Sequence, residues 1–322
     1  MTTREGRKVL LGNREMIYPS ADLQELEDSS QFLNDRTQLL SELETKGYAL
    51  LRGLHDREEV LAARLAVLRY IQESGDNRFR EGTDWQQGIL DHRCGKGCIP
   101  VMEGKNDISH SEKVLQVLEG PRVKRLFRML FDEEPRTFDF KWLRGMHPEG
   151  VTGAHVDRVY MCWGTENLIT IWTPFDDLPV EMGVLAMCEG SHMLSSFKQF
   201  QETYGNLDVE ADNMNGTGWF TVDPLEITSQ FGGQWKTTDF RAGDAMIFGM
   251  RTVHMSTANL TEKVRISCDT RWQPASEPAD PRYVGECSID NRPKFGVYGE
   301  DSRPKENKHT IEEFKQKWGF QL

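Results

Sequence analysis

The chain of 322 residues lacks any apolar run long enough to cross a membrane, since a spanning helix needs about 20 such residues. Its first residues, MTTREGRKVLLGNRE, are polar and carry both signs of charge, without the apolar core of a secretory signal. These two absences predict a cytoplasmic protein that has no membrane partner.

Basic residues are scarce relative to acidic ones. The chain has 39 Lys and Arg against 51 Asp and Glu, which gives a formal net charge of −12. Proteins that bind nucleic acid non-specifically need an excess of Lys and Arg to neutralise phosphates. We therefore expect no nucleic-acid partner and a small-molecule substrate instead, bound by a monomer or a homodimer.

Cysteines are few for a chain of this length and are scattered. They are Cys94, Cys98, Cys162, Cys188, Cys268 and Cys287. This distribution is not a disulfide framework, so we expect reduced thiols. The segment HRCGKGC, with His92, has a C-x₃-C spacing but no second pair, which favours a Gly-rich loop with free thiols over a zinc site.

The pattern of apolar residues changes along the chain. Residues 1–30 show no strong period and are expected to form arms or short turns. Residues 30–135 are mainly helical, with helices predicted in NDRTQLLSELETKG, HDREEVLAARLAVLRYIQESG, SEKVLQVLEG and PRVKRLFRMLF, and a short strand in YALLRGL.

From about residue 136 to 275, short β-type runs alternate with turns at the spacing of a double-sheet barrel. A C-terminal extension, 276–322, ends in one further predicted helix, HTIEEFKQKWG. The fold class predicted is mainly β with α: one domain over 1–322, in which an N-terminal helical layer packs on a double-stranded β-helix, the jelly roll also found in cupins.

One candidate metal site stands out. His155 and Asp157, in GAHVDRV, are two residues apart, and such positions share one face of a strand. His254, in TVHMS, could add a third ligand from another strand. Two His and one carboxylate leave coordination positions open, as non-haem iron(II) oxygenases require. An H-x-D tripeptide by itself is weak evidence, because it also occurs in surface turns and buried hydrogen bonds.

The strand after His254 adds a second signal, because Arg265, Ser267, Asp269 and Arg271 alternate with apolar residues. A cation inside a barrel needs an anion, and the planar fork of Arg fits a carboxylate. The C5 carboxylate of 2-oxoglutarate is a suitable partner for Arg265, with Ser256 adding a hydroxyl. The alternative for Arg265 is a structural salt bridge.

These residues resemble the phytanoyl-CoA dioxygenase family over roughly residues 35–275. The motifs that carry the resemblance are His155-x-Asp157, the segment TPFDDLPVEMGVLAMCEGSH, and His254-x-Ser256-x-x-Asn259-x-Thr261-x-x-x-Arg265. The family's Trp, Asp, Gly and Gly-Ser-His between the ligands correspond to Trp172, Asp176, Gly183, Gly190, Ser191 and His192.

The resemblance implies an oxygenase that uses Fe(II), 2-oxoglutarate and O₂, with ascorbate as a candidate reductant, and releases succinate and CO₂. It implies His155, Asp157 and His254 as metal ligands and Arg265 as the 2-oxoglutarate clamp. Ser256 and Trp172 are expected near the cosubstrate. Since Asp157 is present, hydroxylation or another oxidation of a small organic molecule is favoured over halogenation. The alternative is a non-catalytic cupin-like binding protein.

For several further residues the sequence allows more than one role. Lys141 and Arg144 are both candidates for the basic residue that often assists at the family's site. Tyr160, Met161 and Trp163 directly follow the H-x-D motif and are proposed to line the substrate pocket, or else belong to the barrel core. Arg271 could hold a substrate anion or pair with Asp269. His192 is expected to be a structural turn residue.

Overall fold

The computed structural model describes residues 6–75, 78–94, 98–286 and 308–320. Its helices are α1 Arg36–Thr45, α2 Arg57–Glu73, α3 Glu112–Leu118, α4 Pro121–Phe131, α5 Lys198–Glu202, α6 Pro224–Phe231 and α7 Ile311–Trp318. Its strands are β1 Arg7–Leu11, β2 Arg14–Tyr18, β3 Leu23–Glu25, β4 Tyr48–Leu51, β5 Pro135–Thr137, β6 Trp142–Met146, β7 Ile169–Pro174, β8 Leu185–Glu189, β9 Gln234–Thr237, β10 Ala245–Gly249, β11 His254–Ser256 and β12 Arg265–Pro274.

The helices begin where the sequence offers capping groups. The Asp35 side chain accepts from the backbone N–H of Gln38 at the start of α1, and Asp56 caps α2 in the same way. Pro121 occupies the first turn of α4, where its missing N–H costs nothing. Helix α7 begins with a capping box between Thr310 and Glu313. The helices predicted before residue 135, and the C-terminal one, are confirmed.

Two open sheets form the centre of the described structure. In the larger sheet the order is β4-β10-β7-β12-β5, and β6 also pairs with β12. In the smaller sheet the order is β11-β8-β9-β3. The predicted β-rich region is therefore confirmed, and its mainly β jelly-roll class with added helices is the one observed. The run TFDFKWLRGM is divided between β5 and β6.

The period of two in the strands divides the larger sheet into two faces. Tyr48, Phe248 and Trp172 lie in the core that also contains Leu185 and Trp235 of the smaller sheet. The opposite face packs against the helices: residues that alternate with these, such as Ile171 and Ile247, lie in a cluster with Leu39 of α1 and Phe127 of α4. Phe127 stacks on Trp272 with ring centroids 4.9 Å apart. The helical layer thus covers one face, and the other face is left for the site.

The interpretation of residues 1–30 as arms or turns is wrong. β1 and β2 form an antiparallel hairpin, and β3 joins β9 in parallel. Gly12 has φ +57° in the hairpin turn, a conformation that glycine adopts without strain. The apolar stretch Val9–Leu11 is only three residues long, and the charged residues around it obscure the strand pattern. Conversely, residues 218–223, which lie inside the predicted β-rich region, contribute only the bridge between Thr221 and Ala154.

The structure also corrects the expectation for one pair of cysteines. Cys94 and Cys98 form a disulfide with Cα atoms 5.3 Å apart, instead of two free thiols. Cys162, Cys188 and Cys268 are free, as expected, whereas Cys287 lies outside the described residues. Among the described helices, none has both the length and the apolar character required to cross a membrane.

Candidate active site

Two histidines face each other at β11, the end strand of the smaller sheet. His155 and His254 form an antiparallel bridge, in which each backbone N–H donates to the other residue's carbonyl at 3.0 Å. Their rings are 4.2 Å apart, centroid to centroid. Asp157 begins a 3₁₀ turn, Asp157–Val159, and does not continue a strand as its spacing from His155 predicts. The turn still brings its carboxylate beside the two rings.

The three side chains converge on one point. His155, Asp157 and His254 each offer a ligand atom, all within 4.8 Å of one another. Oδ1 of Asp157 lies 3.8 Å from Nε2 of His155 and 3.7 Å from Nε2 of His254. In the part of the chain that the structure describes, this is the one cluster of at least three such residues.

The backbone orients both rings. Nδ1 of His155 lies 2.8 Å from the carbonyl oxygen of Gly153, and Nδ1 of His254 lies 3.0 Å from that of Thr252. When each Nδ1–H donates to its carbonyl, each Nε2 presents its lone pair toward Asp157. Second contacts of this kind fix the tautomer of metal-binding histidines.

Burial sets the protonation states that a metal requires. Desolvation lowers the pKa of His155 to about 3, with His254 adding to the effect. For Asp157, burial would raise the pKa, but the nearby Arg271 guanidinium and the two histidines outweigh it and hold the pKa well below its usual range. A neutral imidazole and an ionised carboxylate are the forms that bind metal.

The second oxygen of the Asp157 carboxylate is already occupied. Oδ2 accepts a hydrogen bond from Thr170 Oγ1 at 2.6 Å and one from Arg271 Nη2 at 3.0 Å. Arg271 also approaches Asp269, with 3.7 Å between Nη1 and Oδ2. Nη2 of Arg271 is therefore engaged within the protein, whereas its Nε and Nη1 have no hydrogen-bond partner among the described residues. Thr170 was not anticipated from the sequence, although its position two residues before Trp172 places it on the same strand face.

Arg265 is a buried cation without an ion-pair partner among the described residues. Its side chain is 4 % exposed, and among the described residues no carboxylate forms an ion pair with it. It contacts the Ser267 hydroxyl and the thioether sulfur of Met146, and its Nε has no hydrogen-bond partner. Burial lowers the pKa of Arg265 to about 10, with Arg144 adding to the effect. Burying a guanidinium without a counter-ion is costly, so the donors present suit a carboxylate ligand.

A cavity of about 360 Å³ connects Arg265 to the His-Asp-His cluster. The candidate residues that line it are Arg144, His155, Asp157, Tyr160, Met161, Trp172, His254, Ser256, Arg265 and Arg271. Ser256 Oγ accepts from the backbone N–H of Thr152 at 2.8 Å, so its own hydrogen can donate into the cavity.

Two candidates lie elsewhere. Lys141 is fully buried, and its Nζ lies 2.5 Å from both Glu119 Oε1 and the Phe138 carbonyl oxygen, away from the cavity. Of the two basic candidates, only Arg144 faces the cavity. Trp163 is 48 % exposed, and its Nε1 donates to Asp208 at 2.5 Å. It therefore does not line the cavity.

One part of the cavity wall was not anticipated. Residues 99–103, directly after the disulfide, line the cavity together with Trp219. Their sequence has no periodic signal, because an irregular loop forms this wall. His192 is a structural residue as expected, since its Nε2 lies 2.8 Å from the Glu44 carbonyl oxygen.

Comparisons with known proteins identify the family and the fold. The family model described as "Phytanoyl-CoA dioxygenase (PhyH)" matches residues 43–267. A comparison with curated proteins gives no match. Among solved structures, the epimerase SnoN in complex with Fe³⁺, alpha ketoglutarate and nogalamycin RO is similar, with 19% identity and a TM-score of 0.51, over 80% of this chain and 89% of SnoN. The carbocyclase SnoK from nogalamycin biosynthesis is similar with 18% identity and a TM-score of 0.52, over 80% of this chain and 90% of SnoK.

The match spans well over half of the sequence, so the chain belongs to the phytanoyl-CoA dioxygenase family. It is an iron- and 2-oxoglutarate-dependent enzyme of the dioxygenase type. The solved structures, at their low identity, show the shared fold.

Proposed function

We propose that this enzyme hydroxylates, or otherwise oxidises, a small uncharged organic molecule while converting 2-oxoglutarate to succinate and CO₂. The observation that carries the proposal is the pairing of two features in one cavity: the His-Asp-His cluster, and the buried Arg265, which has no ion-pair partner in the described part of the chain. The first suits a divalent metal, and the second suits the far carboxylate of a dicarboxylic acid.

Each residue has a proposed task. His155, Asp157 and His254 hold iron(II), and Arg265 with Ser256 binds the C5 carboxylate of 2-oxoglutarate. Iron(II) with 2-oxoglutarate and O₂ supplies the oxidising power for attack on a C–H bond. The protein's own contribution is to bind and orient both substrates and to exclude water. Trp172, 4 % exposed on β7, forms part of the apolar wall near the cosubstrate.

The charges around the cavity indicate what charge the substrate carries. Three described cations line it, Arg144, Arg265 and Arg271, and three described carboxylates balance them, Glu103, Asp157 and Asp269. The positive charge of iron(II) and the negative charge of the 2-oxoglutarate dianion also cancel each other. Since an uncompensated buried charge is costly, the part of the substrate that enters the cavity is uncharged.

The apolar side chains support the same substrate class. They include Ile99, Val101, Met102, Leu143, Met146, Met161 and Trp219. Arg144 bonds to Glu103 at 2.6 Å and also contacts Asp269, and Arg271 is engaged by Asp157. We therefore assign Arg144 to the wall of the site and Arg271 to the Asp157 carboxylate.

The test is succinate formation by the purified protein with iron(II), 2-oxoglutarate, O₂ and ascorbate, in the presence of a panel of small molecules. Each neutral member, an alcohol or ester, is matched with its carboxylic acid. We expect succinate release to rise with neutral members only, and mass spectrometry of the product identifies the oxidation. Failure to bind 2-oxoglutarate would refute the proposal, and binding without turnover of any compound would favour a non-catalytic binding protein.

A further inference from the structure

We propose that Arg271 is a positioning residue for the metal-binding carboxylate: with Thr170 it holds Oδ2 of Asp157 so that only Oδ1 is offered to the metal. The inference rests on the proposed function above. Arg271 lies beyond residues 43–267, the part of the chain that the family model matches, so the match does not assign it a role.

The strand register places both donors on the same oxygen. Arg271 of β12 and Thr170 of β7 are direct partners in the antiparallel pairing of these strands. Both side chains reach Oδ2 of Asp157, at 3.0 Å and 2.6 Å. All three residues are buried, and none of them is more than 3 % exposed. Hydrogen bonds to an ionised group in such surroundings are among the strong ones.

The guanidinium of Arg271 is itself held in place. It lies over the ring of Trp142, 4.1 Å from the centroid, and Nη1 lies 3.7 Å from Asp269 Oδ2. Asp269 in turn contacts Arg144, whose Nε donates to Glu103 at 2.6 Å. The ring of Trp142 restricts the guanidinium plane, and the charge of Asp269 attracts the guanidinium from the same side of the cavity wall.

The two carboxylate oxygens of Asp157 therefore have different surroundings. Oδ1 faces Nε2 of both His155 and His254, at 3.8 Å and 3.7 Å, whereas Oδ2 faces two donors. A carboxylate that bound the metal through both oxygens would take one more coordination position. Three protein ligands leave room for 2-oxoglutarate and O₂, so keeping Asp157 to one bond preserves the position that the cosubstrates need.

The experiment uses the full-length protein loaded with Mn²⁺, which takes oxygen and imidazole ligands. Metal-bound water is counted from the broadening of the Mn²⁺ paramagnetic resonance signal in ¹⁷O-labelled water, and 2-oxoglutarate affinity is measured by calorimetry. The variants are Arg271→Gln, Arg271→Lys and Thr170→Val. The matched control is Arg282→Gln, since Arg282 is half-buried, also lies over an aromatic ring (Trp163, 4.0 Å) and also pairs with a buried carboxylate (Asp280, 2.6 Å).

We expect Arg271→Gln to lose about one bound water and to bind 2-oxoglutarate on the order of tenfold more weakly, the low end of the effect of losing an outer contact to a metal ligand. Thr170→Val should shift both readings in the same direction by less, and Arg271→Lys should restore part of the affinity. Arg282→Gln should lower the unfolding temperature and leave the water count unchanged.

The measurements distinguish a failure of the inference about Arg271 from a failure of the proposed function. If Arg271→Gln and Thr170→Val keep the wild-type water count and 2-oxoglutarate affinity, Arg271 only neutralises Asp157 and the inference is wrong. If Arg271→Gln does not fold, Thr170→Val alone decides between these outcomes, because it leaves every charge in place. If the wild-type protein itself binds no 2-oxoglutarate in the presence of metal, the proposed function fails.

Discussion

Arg265 and Met146 are partners across strands β12 and β6, and Nη2 of Arg265 lies 3.4 Å from the thioether sulfur of Met146. A thioether is a weak acceptor for a guanidinium. The pairing therefore holds the cation in place without satisfying it, and the carboxylate of a ligand can complete the site.

Replacing Arg265 should separate stability from binding. In Arg265→Met the buried charge is gone, so the ligand-free protein should be as stable as the wild type or more so. Its 2-oxoglutarate affinity should fall roughly 100-fold, since each charge-assisted hydrogen bond contributes about 1.5–3 kcal/mol. Calorimetric titration and urea unfolding measure the two quantities. Unchanged 2-oxoglutarate binding would show that Arg265 is not the clamp.

Metal should stabilise the protein through the His-Asp-His cluster. Adding Mn²⁺ or, without oxygen, Fe²⁺ should raise the unfolding temperature in a concentration-dependent way, with about 2.7 kcal/mol gained at 100 times Kd. A chelator should reverse the effect, and His155→Ala should abolish it. His92→Ala is the control, because the His92 side chain is exposed and belongs to no metal cluster among the described residues. An equal metal response in His155→Ala would contradict the assignment.

Acid should weaken the fold partly through His55. This residue is buried with Nε2 3.2 Å from Thr173 Oγ1, and desolvation lowers its pKa from 6.5 to about 4. Between these values the unfolded chain binds a proton that the folded chain does not. The free energy of unfolding should therefore fall as the pH drops from 6.5 to 4, by about 3 kcal/mol from this residue.

The control for that prediction is the variant His55→Gln, which keeps a donor near Thr173 and cannot titrate. Urea unfolding at a series of pH values, with the metal content held fixed, should give a smaller loss of stability in the variant. Identical pH profiles for the two proteins would exclude His55 as a source of acid sensitivity.

The C-terminal segment should contribute to the core. Phe320 packs edge-on against Phe220 and Phe231, with centroids 5.7 and 5.3 Å away, and Lys315 of α7 forms an ion pair with Glu226 at 2.6 Å. Phe320→Ala should lower the free energy of unfolding by about 3 kcal/mol, and Phe320→Leu by less. Denaturant unfolding tests both, and a wild-type value for Phe320→Ala would mean that this segment is not docked.

Local patterns made much of the site predictable. His155, Asp157 and His254 are recognisable by residue type and spacing, and the alternation in β12 indicates that Arg265 faces inward. Helices with capping residues and strands with alternating apolar positions follow from interactions between near neighbours in the chain. The hairpin β1–β2 escapes sequence-based prediction because each strand has five residues and only two of them are buried.

Other features depend on contacts between distant residues. Lys141 and Arg144 are equivalent in sequence terms, yet Lys141 pairs with Glu119 and only Arg144 faces the cavity. Trp163 follows the motif directly but is turned outward, where Arg282 lies over its ring at 4.0 Å. Which side of a loop faces the cavity depends on partners that no local pattern identifies.

The sequence by itself determined the candidate metal ligands, the inward-facing arginine and the mainly β architecture, because these depend on side-chain chemistry and short-range periodicity. The register between β7 and β12 decided that Arg271 joins Thr170 on one oxygen of Asp157. The packing of residues 99–103 decided one part of the cavity wall. Both features depend on contacts between residues far apart in the sequence. The burial of apolar surface between sheets and loops determines them, and interactions between neighbours along the chain do not.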